Sequence, residues 1–293
     1  MLFVQSTIRL FTALVLLVTG GAAAAQHAPA VWTLSDDDTT VYLLGTIHLL
    51  KPDTPWYTQE LKQIMADAES LTVEAEVDAI DPMQMQQLVM RVGFYPQGQL
   101  LADDLPDDVM AELRGMAGRA GLPAAALDRM KPWLAGITLT AQLSARAGFL
   151  PQYGVDATLL GEARETGMTV RPLETIEEQL GLFSDMPMAA QVQFLKDGLR
   201  ELENIDAFFE RLKTAWLEAD LKTIEDMLAE GLTANTALAQ AMLYDRNAAW
   251  LPQITALLEE DGVHLVAVGA GHLIGEDSVI DMLDDAGHAV SRY

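Results

Sequence analysis

Two β-prone runs, residues 31–34 and 41–44, flank a polar stretch with three aspartates, Asp36, Asp37 and Asp38, which predicts a hairpin around a solvated turn. Residues 56–69 carry apolar side chains at Leu61, Ile64, Met65 and Ala68, the spacing of a helix with one buried face. Residues 71–77 alternate, which predicts a strand with Leu71, Val73, Ala75 and Val77 on one face and Thr72, Glu74 and Glu76 on the other. From Asp81 to about Tyr244 the pattern is helical and rich in Ala, Leu, Met and Gln. Pro- and Gly-marked loops at 95–98 and 149–154 and a β-like run at 168–173 interrupt it. Residues 264–268 form a compact apolar run suited to a strand buried on both faces. Gly269-Ala270-Gly271 follows, then a helix from about Glu276 to Ala286 and a final edge strand at 288–292. Strands near both ends with helices between them predict a single mixed α/β (α+β) domain over residues 26–293. Its central sheet is built from N- and C-terminal strands, with a large, mostly helical insertion at about 81–244.

The first 25 residues have a different pattern. One basic side chain, Arg9, precedes a short apolar run at 10–18, and small residues lead to Ala23-Ala24-Ala25. This order predicts a secretory signal cleaved after Ala25. The apolar run is shorter than the ~20 residues a spanning helix needs. The expectation is an exported protein, periplasmic or secreted, with no stable membrane anchor after cleavage.

Composition narrows the chemistry. Asp and Glu number 43 against 18 Lys and Arg, a formal charge of -25 that repels a phosphate backbone, so nucleic acid is excluded as a partner. With no cysteine, a disulfide framework, a thiolate zinc site, an iron–sulfur cluster and a cysteine nucleophile are excluded as well. Catalysis or binding must use His, carboxylates, hydroxyls or Arg.

Two segments share a form that brings such groups to one place. Gly45-Thr46-Ile47-His48 and Gly269-Ala270-Gly271-His272 each follow an apolar strand with Gly, two residues and His. The glycine permits a tight turn, and the histidine arrives just beyond the strand's C-terminal edge, where α/β sheets bind ligands. Glu74 and Glu76 lie on a strand otherwise fit for burial, which is costly unless they are paired, bind a cation or open into a cleft. Two imidazoles and one or two carboxylates suit a divalent Mn, Co, Zn or Fe ion with an activated water. Equally, the glutamates could face water on an edge strand while the histidines cap loops. Asp156 and Glu174 read as helix-start residues, Trp133 as core, and His264 and His288 as structural or exposed.

The strand leading to Gly45-Thr46-Ile47-His48, Val73-Glu74-Ala75-Glu76, Lys131-Pro132-Trp133, Gly154-Val155-Asp156, Leu173-Glu174-Thr175, Asp245-Arg246-Asn247 and Val268 to Leu273 together resemble the TraB/PrgY/GumN family, from about Val31 to Arg292. That family is related to the Tiki metalloproteases and more distantly to erythromycin esterases and ChaN-like haem-binding proteins. The resemblance implies a mixed α/β fold and a divalent-metal-dependent hydrolase acting on peptide bonds, with a peptide or small molecule as substrate. His48 and His272 match the two family histidines and Glu74 or Glu76 its acidic position. The two histidines and one of these glutamates would be metal ligands or acid/base groups, and if both glutamates reach the cleft one would bind metal and the other act as general base. Arg246 would clamp a substrate carboxylate or stabilise an oxyanion. Two alternatives stay open: a non-catalytic haem, metal or small-ligand binding protein, and an accessory factor in polysaccharide export or assembly.

Overall fold

The computed structural model describes residues 28–77, 79–232 and 236–293. The predicted signal segment, and His27 after it, lie outside the described residues. Six strands, β1 (Val31–Ser35), β2 (Thr39–Thr46), β3 (Ser70–Val73), β4 (Thr169–Pro172), β5 (Gly262–Gly269) and β6 (Val290–Arg292), form one sheet in the order β4-β3-β5-β2-β1-β6. β4, β3, β5 and β2 are parallel neighbours, β1 pairs antiparallel with β2, and β6 pairs antiparallel with β1. The sheet is thus mixed and joins both ends of the described chain. β5, from late in the sequence, inserts between β3 and β2.

The helices are α1 (Gln59–Asp67), α2 (Pro82–Gly93), α3 (Asp107–Ala120), α4 (Pro132–Arg146), α5 (Val155–Thr166), α6 (Ile176–Ser184), α7 (Met188–Glu201), α8 (Ile205–Leu217), α9 (Leu221–Leu232), α10 (Thr236–Ala239), α11 (Asp245–Thr255) and α12 (Val279–Asp285). A π-helical turn, Gln240–Tyr244, leads directly into α11. Among the described residues no helix is long and apolar enough to cross a membrane.

The apolar run of β5 is buried on both faces because the sheet separates two layers. On one face Leu265 and Ala267 pack with Leu44, Leu71 and Val73 against Ile64 of α1, Leu159 of α5 and Trp216 of α8. On the other, Val266 and Val268 pack with Leu43 against Trp250 and Ile254 of α11 and Leu283 of α12. Helices α3, α4 and α7 close a separate apolar cluster around Leu113, Leu139 and Leu195. Trp133 is fully buried and stacks on Phe183, in keeping with its reading as core.

The alternation at 71–77 overestimates β3. The strand ends at Val73, where its pairing with β5 stops at Ala267 and with β4 at Pro172, and Val77 is exposed. Glu74 and Glu76 therefore do not share a strand face. The hairpin, the run at 168–173, the last helix and the last strand all form, with the final helix starting later, at Val279 after the capping Ser278. His264 is buried in β5, its Nδ1 2.8 Å from Ser70 Oγ, a structural position.

Candidate functional site

Register brings three strand ends to one edge. Thr46 pairs with Gly269, and Val73 pairs with Ala267. The residues just past these ends are the loop to His48, the turn Ala270–Leu273 that carries His272, and Glu74. They meet around Gly269. A Cβ built on that glycine would lie 3.0 Å from Glu74 Oε1, 3.5 Å from His272 Cδ2 and 3.9 Å from His48 Nε2, so a larger residue would push into the cluster. The Gly269 N–H itself donates to Glu74 Oε1 at 2.7 Å.

Each histidine is oriented through its Nδ1. Asp156, in the first turn of α5, accepts from Thr46 Oγ1 at 2.9 Å and holds His48 Nδ1 at 2.8 Å. Helix α5 can dock there because Gly154 has no side chain: a Cβ would stand 2.2 Å from the His48 carbonyl oxygen. The Val155 N–H donates to Ile47 O at 3.0 Å and completes the junction. His272 Nδ1 lies 2.6 Å from Asn247 Oδ1, while the Asn247 amide donates to Asp277 O at 2.8 Å. An amide oxygen can only accept, so Nδ1 of His272 carries the proton and Nε2 presents its lone pair.

That lone pair faces Arg246. Arg246 Nη1 lies 3.0 Å from His272 Nε2 and donates to Met242 O at 2.9 Å. Nη2 donates to Glu74 Oε2 at 2.6 Å and to Glu174 Oε1 at 2.7 Å, and Nε donates to Glu174 Oε2 at 3.0 Å. All five guanidinium donors are engaged. Trp250 lies beneath, with the guanidinium carbon 4.5 Å and the His272 ring 4.4 Å from its rings.

The two histidines differ electrostatically. Asp156 raises the His48 pKa to about 9 against the opposing effect of desolvation, and the His48 side chain is 63% exposed to the cleft. Burial lowers the pKa of His272, with Arg246 adding to the effect, and keeps the ring neutral. Burial would push the Glu74 carboxyl up, but the His48 imidazolium, Arg246 and the Gly269 N–H hold it well below the usual range. Burial raises Glu174, opposed by Arg246.

The structure therefore brings together four of the predicted residues, His48, Glu74, Arg246 and His272. It does not bring in Glu76, whose carboxylate turns outward to Arg164 at 3.4 Å. Three further residues join the cluster that sequence reasoning gave other readings or none: Asp156 and Glu174, read as helix-start residues, and Asn247. Asp156 does not cap its helix, because Gly154 is the N-cap. Glu174 does not cap either, because Thr175 and Glu178 form the capping box of α6. Asn247 gave no signal beyond its place next to Arg246.

Two cavities flank this edge. One, of about 540 Å³, is lined by Ala75, Leu160, Leu180 and Phe183. The other, of about 430 Å³, is lined by Phe194, Phe208, Met227 and Leu238. His48, Glu74, Met242 and Arg246 border both.

Two ring-fixed imidazoles and a carboxylate are donor types that a divalent ion accepts. Even with His48 as the imidazolium, the three carboxylates of Glu74, Glu174 and Asp156 outnumber the two cations, His48 and Arg246. Among the described residues, however, no three His, Asp or Glu side chains stand as a ready-made cage. In this arrangement Arg246 lies against His272 Nε2 and one Glu74 oxygen.

Comparison with known proteins gives a family. The model of the TraB/PrgY/gumN family matches residues 30–292, and the chain belongs to that family. It is 26% identical over 243 residues to the uncharacterized protein YbaP of Escherichia coli (strain K12), covering 83% of this chain and 87% of the relative, and equally similar to YbaP of Shigella flexneri. It is 25% identical over 317 residues to the metalloprotease TIKI1 of Danio rerio, covering 89% of this chain and 62% of that protein. No solved structure matches significantly.

Proposed function

We propose that this chain is an exported, divalent-metal-dependent hydrolase that cleaves peptide bonds in the cleft over Gly269. One observation carries the reading: two Gly-x-x-His loops on neighbouring parallel strands and Glu74 from a third strand converge there, each imidazole held by its own acceptor. The likeness to a metalloprotease supports the reaction class. The paired cavities on either side of His48 support an extended substrate with apolar groups on both sides of the scissile bond.

His48 Nε2, His272 Nε2 and Glu74 would hold the ion, which is Mn, Co, Zn or Fe. When bound, such an ion polarises a carbonyl and lowers the pKa of water toward neutrality. The chain's own residues do the rest. Asp156 fixes the His48 ring so that Nε2 points into the cleft, and Asn247 does the same for His272 from the buried side. Arg246 keeps a positive charge beside the reacting centre, where it favours developing negative charge. Glu74, the predicted glutamate that reaches the site, serves as the ligand, while Glu76 pairs with Arg164.

The test is elemental analysis of the protein purified without chelator or His-tag, beside a folded His48→Ala, His272→Ala variant, followed by a peptide-library digest. Near-stoichiometric metal in the parent, its loss in the variant and metal-dependent cleavage of peptides are expected. A parent that takes up none of Mn, Co, Zn and Fe on addition would refute the proposal.

A further inference from the structure

We infer that Arg246 is a built-in placeholder cation: it occupies the coordination position, and a divalent ion enters only by displacing it from His272 and Glu74. The inference rests on the metal reading above and goes beyond it by assigning a competing occupant. Its ground is donor and acceptor bookkeeping. A neutral imidazole whose Nδ1 donates to Asn247 has one lone pair, on Nε2, and Arg246 Nη1 lies 3.0 Å from that atom. The same guanidinium takes Glu74 Oε2 at 2.6 Å, while the Gly269 N–H takes Oε1 at 2.7 Å. A metal ion cannot share the imidazole lone pair with a hydrogen bond, and it would stand against a like charge at contact distance.

The remaining contacts show where Arg246 would stay. Glu174 grips it through two parallel bonds, Nε to Oε2 and Nη2 to Oε1, so release of His272 and Glu74 leaves a bidentate pair intact. Met242 O, which holds the other Nη1 hydrogen, belongs to the π-helical turn before α11, an element that recurs where helices deform at functional sites. Met242 also borders both cavities, so the side chain has space to move toward. Glu174 is thus the pivot and His272 the contact exchanged.

A purely structural Arg246, present to hold Glu74 in place, makes the opposite prediction: its loss would loosen a ligand and weaken metal binding. The experiment is calorimetric titration of the full chain with Zn²⁺ and Mn²⁺, for wild type and Arg246→Ala, with near-UV circular dichroism to establish the fold. At least tenfold tighter binding by Arg246→Ala, with wild type also binding, supports the inference. Equal or weaker binding by a folded Arg246→Ala, with wild type binding, overturns it and leaves the metal reading standing. Binding by neither protein overturns both. If Arg246→Ala does not fold, Arg246→Lys keeps charge on Glu174 without a fork that spans to His272. It too must bind metal more tightly than wild type, and unchanged or weaker binding overturns the inference.

Discussion

Replacing Asn247 with Leu removes the acceptor of His272 Nδ1 while keeping side-chain volume. Asn247 is 1% exposed, and both of its polar atoms are used, Oδ1 at 2.6 Å from His272 and Nδ2 at 2.8 Å from Asp277 O. The substitution leaves a buried imidazole N–H without a partner, a loss of about 1–3 kcal/mol. With a urea slope of about 2–3 kcal/mol per M, the unfolding midpoint should fall by about 0.3–1.5 M. The functional effect comes from the ring. Without Asn247 the imidazole can change tautomer or rotate, and loss of such an orienting partner lowers metal affinity about 10–100-fold. The assay is urea unfolding of the metal-free protein together with metal titration, run as a double-mutant cycle with His272→Ala. A coupling of about 1 kcal/mol or more is expected. Were Asn247→Leu to cost as much stability in the His272→Ala background as in wild type, the reasoning that Asn247 acts through His272 would be refuted.

Three other outcomes follow from particular contacts. Gly154→Ala places a Cβ 2.2 Å from the His48 carbonyl oxygen, so α5 must move off the loop; a loss of more than about 3 kcal/mol by urea unfolding is expected, together with weakened metal binding. Trp216→Phe removes the buried indole N–H that donates to Gly45 O at 2.8 Å; it should cost about 1–3 kcal/mol and shift the NMR resonances of the His48 loop more than those of α12. Tyr57 and Tyr95 hydrogen-bond to Glu162 and Asp104, and burial, reinforced by these carboxylates, raises both phenols. A raised folded value means stabilisation that is complete below the unfolded pKa of about 10 and is lost as pH rises past it. In an ultraviolet titration at pH 11, both should still hold their protons, and Tyr57→Phe and Tyr95→Phe should leave the amplitude ionised by then unchanged.

The parts of the fold that the sequence makes legible are those set by local period. The hairpin, the doubly buried β5 and the final helix and strand are each written in a run of a few residues. The extent of β3 was not legible, because a strand ends where its neighbours leave it, and β5 is almost two hundred positions away in the chain. The same distinction holds for the site. His48 and His272 announce themselves through the glycine before them, and Glu74 through its cost on an apolar strand. Asp156 and Glu174 look like helix-start acids because that is the commoner use of such a position, and only the docking of α5 and α6 on the sheet edge shows otherwise. Asn247 has no local signature, since its role depends entirely on His272 coming within 2.6 Å.

The two Gly-x-x-His loops are alike in sequence but not in chemistry, and the difference lies in what meets Nδ1. Asp156 gives His48 a carboxylate, which favours the imidazolium and fits its exposed position at the cleft floor. Asn247 gives His272 a neutral acceptor in a buried site, which favours the uncharged ring. A pair of identical partners would give two equivalent ligands, whereas this pair gives one histidine already competent to donate a lone pair and one that must first lose a proton. On the proposed metal reading, loading the site would take two exchanges, the proton from His48 and Arg246 from His272. Because the first releases a proton, metal affinity should rise with pH up to about 9, the value Asp156 sets for His48. Asp156→Asn should move the end of that rise to lower pH, and titrations across pH 6–10 that show the same profile for both proteins would remove His48 from the ligand set.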